Sequence, residues 1–207
     1  MKLYLSSYKI GDEPDKLTGL FSANKRVGYV PNALDFTGAD PERRKRHIES
    51  DIASLVDIGL EPELLDLREY FWKRETLENK IRALGGLWIS GGNVFILRQA
   101  MKLSDLDTIL ETGSGLEDFV YGGYSAAGCV LSKSLRGYEL VDDATDFPYD
   151  GQMEMIWDGL GLIDFAFLPH FDSEHPESAG VGDVKDYCIK NGIPYKTLRD
   201  GEALVIE

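Results

Sequence analysis

Phe119-Val-Tyr-Gly-Gly-Tyr-Ser-Ala-Ala-Gly-Cys-Val130 is the stretch on which the fold turns. An apolar run reaches Gly123, Ser125 follows at once, and small residues lead into what reads as a helix. A strand that turns this sharply into a helix projects a hydroxyl out of the turn, and small neighbours let the strained backbone close. The next amide, that of Ala126, is then placed to face a developing negative charge. Taken alone, Gly122 to Gly128 reads equally well as a tight strand-to-helix turn without chemistry.

Outward from this turn, short apolar runs alternate with longer amphipathic ones. Lys2 to Ser6, Arg26 to Pro31, Glu63 to Leu67, Gly86 to Ser90, Phe119 to Gly123 and Phe165 to Pro169 read as strands. Pro41 to Ile58 carries Ile48, Ile52, Leu55 and Val56 at helical spacing, with Pro41 just inside the start. Further helices are predicted near Thr76 to Leu84, after Gly91-Gly92-Asn93, and over Gly182 to Lys190, where Asn191-Gly192 ends the pattern. This alternation implies an α/β fold: a mostly parallel sheet between helical layers, with ligands bound beyond the carboxyl ends of the strands. Tyr195 to Arg199, Asp200-Gly201 and Ala203 to Ile206 read as a terminal hairpin, and Asp-rich Leu140 to Met155 as a long irregular excursion.

The 207 residues fit one domain, 1–207, able to bury a core without staples. A net charge of −14 repels a phosphate backbone, and the basic run Arg43 to Arg46 lies among acids on a helix, so no nucleic-acid partner is expected. Cys129 and Cys188 lie far apart with no CxxC or Cys/His pairing, which predicts neither a disulfide scaffold nor a zinc site and fits a reducing cytoplasm. Neither a signal peptide nor a membrane span is read.

Chemistry is therefore sought at the strand ends. Leu168-Pro169-His170-Phe171 closes a strand, so His170 emerges at the same edge as Ser125 and is the candidate base for its proton. His175 follows a polar turn and reads as exposed, and His47 as part of a surface helix. An acid to orient the imidazole is offered by Glu139, Asp142 and Asp143, among which the residues themselves do not choose. Gly92, at a strand-to-helix turn, is a candidate second oxyanion donor, and Asn93 a substrate contact or simply the helix cap. Cys129, one turn beyond Ser125, reads as core because nothing electropositive adjoins it in sequence.

Three separated motifs, Gly91-Gly-Asn93, Gly123-Tyr-Ser-Ala-Ala-Gly128 and Pro169-His-Phe171, together resemble the peptidase E family, which includes dipeptidase E and cyanophycinase. The resemblance extends through Val27-Gly-Tyr-Val-Pro31, Leu135-Arg-Gly-Tyr-Glu-Leu-Val-Asp-Asp143 and Leu198-Arg-Asp-Gly-Glu-Ala-Leu-Val205. It implies a flavodoxin-like, class I glutamine-amidotransferase-like three-layer fold and cofactor-free, metal-free hydrolysis of small peptides by a monomer or homodimer. It also implies Ser125 as nucleophile, His170 as base, Ala126 and Gly92 as oxyanion donors, and an acid within Glu139 to Asp143. Two departures stand out. Ser125-Ala-Ala-Gly replaces the family's S-A-G-A, and the β-carbon at Ala127 predicts a reshaped oxyanion site or a member that binds a small acidic or peptide ligand without cleaving it. The family's aspartyl dipeptidases need a cation for an N-terminal Asp, and Phe171 to Lys185 holds only one, which leaves Arg136 or Arg98 for that task.

Overall fold

A computed structural model describes residues 1–207. Strands β1 (Lys2–Ser6), β2 (Arg26–Val30), β3 (Glu61–Leu64), β4 (Gly86–Ile89) and β5 (Val120–Tyr124) run parallel in one sheet. Between them come α1 (Pro14–Leu20), α2 (Pro41–Asp57), α3 (Arg74–Arg82), α4 (Val94–Ser104) and α5 (Leu106–Thr112). After β5 follow α6 (Ala126–Cys129), β6 (Ala166–Leu168), α7 (Ser178–Asn191), β7 (Tyr195–Thr197) and β8 (Ala203–Ile206). The main sheet has the order β3-β2-β4-β5-β1-β8, and β8 is its one antiparallel member.

Alternation along the strands builds the layers, because successive side chains leave a strand on opposite faces. Leu3, Leu5, Leu87, Ile89 and Tyr121 join the larger core with α3 to α7, while Tyr4, Tyr29, Trp88 and Tyr124 join the smaller core under α1 and α2. The mostly parallel sheet flanked by helices is the α/β fold expected. Caps place the helices: Asp40 accepts the Glu42 amide before Pro41 of α2, and Asn93 accepts the Phe95 and Ile96 amides of α4 at 2.8 and 3.1 Å.

Three expectations need correction. The expected terminal hairpin does not form: β7 pairs in parallel with β6 as a separate two-stranded sheet, and β8 crosses to the edge of β1. The edge of β1 and the edge of β6 each offer unpaired backbone groups, and satisfying both outweighs the local turn preference of Asp200-Gly201. β3 spans Glu61–Leu64 rather than Glu63 to Leu67, since Asp66 caps a short 3-10 turn beginning at Leu67. The last helix begins at Ser178, four residues before Gly182.

Candidate active site

Ser125 stands between β5 and α6 with φ 51° and ψ −109°, a conformation that costs a non-glycine residue on the order of 1–3 kcal/mol and persists only where its surroundings impose it. Its amide donates to Ser6 O at 3.2 Å, tying the turn to the end of β1. Glycines clear the space around it. A β-carbon on Gly91 would come within 3.1 Å of the Ser125 β-carbon, and one on Gly92, where φ is +138°, would meet Ala33 O at 2.3 Å. Behind the turn, Gly128 lies against the Phe167 ring of β6, where a β-carbon would approach to 2.4 Å.

The extra β-carbon of Ala127 is accommodated rather than disruptive. It occupies the space over Gly123, where any side chain would lie 2.5 Å from it, and the Ala127 carbonyl accepts Tyr121 Oη at 2.8 Å. The Ala126 and Gly92 amides donate to no protein acceptor.

His170 follows β6 with φ 58° and is 2% exposed. Its amide donates to Ser7 Oγ at 2.7 Å, and its Nδ1 donates to Asp200 Oδ1 at 2.7 Å. Ser7 Oγ in turn donates to the same Asp200 oxygen at 2.8 Å, and Asp200 N donates to Ser173 Oγ at 2.9 Å. Ser125 and His170 thus hang from adjacent residues of one strand end, Ser6 and Ser7. The ring of Tyr8 lies 6.1 Å from that of Tyr124 and 6.0 Å from that of His170. Burial holds the imidazole below its ordinary pKa while the Asp200 carboxylate pulls the other way, which keeps the ring neutral near pH 7 and Nε2 unprotonated. Ser125 Oγ and His170 share no hydrogen bond here; Nε2 lies 4.0 Å from Glu177 Oε2.

None of the three acids expected to orient the imidazole reaches it. Glu139 is exposed and accepts the Gly137 amide, and Asp143 is exposed and accepts from Thr145. Asp142 accepts the Val94 amide at 2.8 Å, drawn to the positive end of α4. Its carboxyl lines a cavity of about 20 Å³ under Ser125, and desolvation raises its pKa to about 7. Asp200 takes the place beside His170. It lay inside the matched stretch Leu198 to Val205, but in a hairpin reading it is only a turn residue.

Other assignments also shift. Asn93 is 1% exposed and spends its side chain on the α4 cap and on Asp143 O, so it is a structural cap. Arg98 is held by Asp107 at 2.8 Å and by Asp158 O at 2.9 Å, so it is not free to receive a substrate carboxylate. Arg136 lies over the Trp157 ring, 4.6 Å from its centre. His175, expected exposed, is half-buried and stacks on His170 at 3.7 Å. Cys129 is core: Sγ lies 3.4 Å from Phe167 O, and burial pushes its thiol well up. No helix is long and apolar enough to cross a membrane.

Comparison with known proteins agrees with this architecture. A peptidase from Listeria monocytogenes, Lmo0363, itself uncharacterized, is 26% identical over 171 residues, 82% of this chain and 77% of that protein. The uncharacterized peptidase Lin0382 of Listeria innocua is 25% identical over 154 residues, 72% of this chain and 66% of that protein. Among solved structures, a candidate peptidase E protein from L. monocytogenes EGD-e superposes with a TM-score of 0.71 at 21% identity, covering 100% of this chain and 98% of its own. A peptidase from an acI-B1 actinobacterium gives 0.71 at 14% identity, covering 100% and 83%; at these identities the likeness is one of fold. The model of peptidase family S51 matches residues 9–207, so the chain belongs to that family, the peptidase E family of serine hydrolases, and is a peptidase.

Proposed function

We propose that this chain is a serine peptidase of short peptides in which Ser125 is the nucleophile, His170 the base and Asp200 the acid that orients it. The observation that carries the reading is the Ser7–Asp200–His170 network, which fixes the tautomer with the proton on Nδ1 and leaves the Nε2 lone pair free. In the reaction, Nε2 takes the Ser125 proton as Oγ adds to the scissile carbonyl. The oxyanion then accepts the Ala126 and Gly92 amides. The imidazolium returns its proton to the departing amine, and water repeats the cycle on the acyl-enzyme. Closing the Ser125–His170 bond belongs to the substrate complex, since such bonds tighten on binding.

Ser125 is 8% exposed, which favours small peptides over folded chains. Dipeptides are the proposed class, an N-terminal aspartyl residue among them. Incubation with a fluorophosphonate, followed by peptide mass spectrometry, tests the chemistry: the adduct is expected on Ser125 and absent from Ser125→Ala. A dipeptide panel then defines the substrate. An unlabelled Ser125, under conditions where a reference serine hydrolase reacts, sinks the reading and leaves a member that binds its peptide without cleaving it.

A further inference from the structure

His170, His175 and Glu177 bring two imidazoles and a carboxylate together with donor atoms all within 4.8 Å of one another, and Glu177 lines the same small cavity as Ser125. Serine chemistry accounts for only one of the three. Glu177 Oε2 lies 4.0 Å from His170 Nε2, and the His175 ring lies 3.7 Å from that of His170. His170 already carries the outer contact typical of a metal-bound histidine, its Nδ1–H given to the Asp200 carboxylate, which aims the Nε2 lone pair outward. Two imidazoles and one carboxylate suit a zinc-type ion, and imidazole disfavours magnesium and calcium.

We infer that these three residues form an inhibitory site for a divalent transition metal ion, Zn2+ foremost, which switches the peptidase off by occupying the nitrogen that would take the serine proton. The ion binds lone pairs of neutral imidazoles, so no redox step and no bond cleavage is involved. Metal–ligand bonds of about 2.0–2.1 Å in a tetrahedral site place donors roughly 3.3 Å apart, so the cluster must contract by about an ångström. His175 must also turn, because an ion cannot lie in the planes of two stacked rings. Both movements fall on the segment 171–177 after β6, where Glu174 and Pro176 are exposed and the Glu177 side chain is 43% exposed. His170 itself stays fixed by Ser7 and Asp200.

The inhibitory consequence rests on the serine-peptidase reading; the binding of the ion does not, and the two are measured separately. Zn2+ titration by calorimetry and the visible spectrum of added Co2+ report binding. The rate of fluorophosphonate labelling at Ser125, with and without Zn2+, reports inhibition. One ion per chain is expected, with a tetrahedral Co2+ spectrum and a labelling rate at least tenfold lower that recovers on adding a chelator. His175→Ala and Glu177→Gln should each weaken binding tenfold or more and label in zinc at their own zinc-free rates. His47→Gln, which removes the remaining histidine, should still bind the ion as the parent does. Absence of a stoichiometric ion, or binding indifferent to His175 and Glu177, overturns the site. Binding that follows these variants in a protein whose Ser125 never labels keeps the site and removes the peptidase reading instead.

Discussion

Two histidine–aspartate pairs flank the Tyr124-Ser125 turn. On the α2 side, Asp51 is 3% exposed and accepts Tyr29 Oη and Tyr124 Oη, each at 2.8 Å, as well as Lys9 Nζ. His47 Nε2 lies 2.6 Å from Tyr124 Oη, 3.2 Å from Lys9 Nζ and 3.5 Å from Asp51. On the β6 side, Asp200 takes only Ser7 and His170, and the far nitrogen of the imidazole makes no hydrogen bond. The residue types are the same; what differs is Nε2, which in His47 is held among Tyr124, Lys9 and Asp51 and in His170 makes no hydrogen bond. A network that engages Nε2 holds the sheet to its helix, and one that leaves Nε2 free can move a proton.

The sharpest way to break this contrast is Asp200→Asn. It keeps the shape but no longer enforces the Nδ1–H tautomer, so kcat on a short peptide is expected to fall by about 10³–10⁴ with KM little changed. An unaltered kcat would remove Asp200 from the chemistry. Next is a third carboxylate, which has neither an imidazole nor a cation as partner. Asp142 has its folded pKa raised from 3.8 to about 7, so the folded state holds a proton that the unfolded state has lost between those values. Stability from this group is therefore full below about pH 4 and lost as pH rises toward 7, a total of about 2–4 kcal/mol. Asp142→Asn should flatten that slope and raise Tm above pH 7, as read in denaturation curves across pH.

On the α2 side the effects should fall on stability. Asp51→Ala leaves two buried phenols and Lys9 without their acceptor and is expected to cost about 2–3 kcal/mol in denaturant unfolding. Smallest is His47→Gln, expected to cost about 1 kcal/mol or less and to leave kcat within about threefold, because its partners keep Asp51. A large loss of kcat in His47→Gln would erase the distinction between the two pairs.

The layered sheet was legible because Leu3, Tyr4 and Leu5 alternate and because β–α order constrains topology. The placement of Ser125 and His170 at one sheet edge was legible for a related reason: each follows a strand, and strand ends share one edge. Asp200 was not. Its position depends on β7 and β8 choosing different partners, a long-range pairing that no local window encodes, whereas Asp-Gly encodes a turn very well. Ser7 was missed because a serine after a strand carries no distinctive signal, and His175 because a polar turn reads as exposed until it folds back over a ring. Asp142 and Asp143 attracted attention by their charge, and the helix end and a local turn claimed them.

The split of β7 from β8 also joins two sheets through one turn. Asp200 sits on the crossing from the small sheet to the edge of β1, so its contact with His170 spans the junction of the two sheets. Loss of the β8 pairing with β1 would therefore be felt at His170 as a loosened Asp200 contact, even where the parallel strands stay intact.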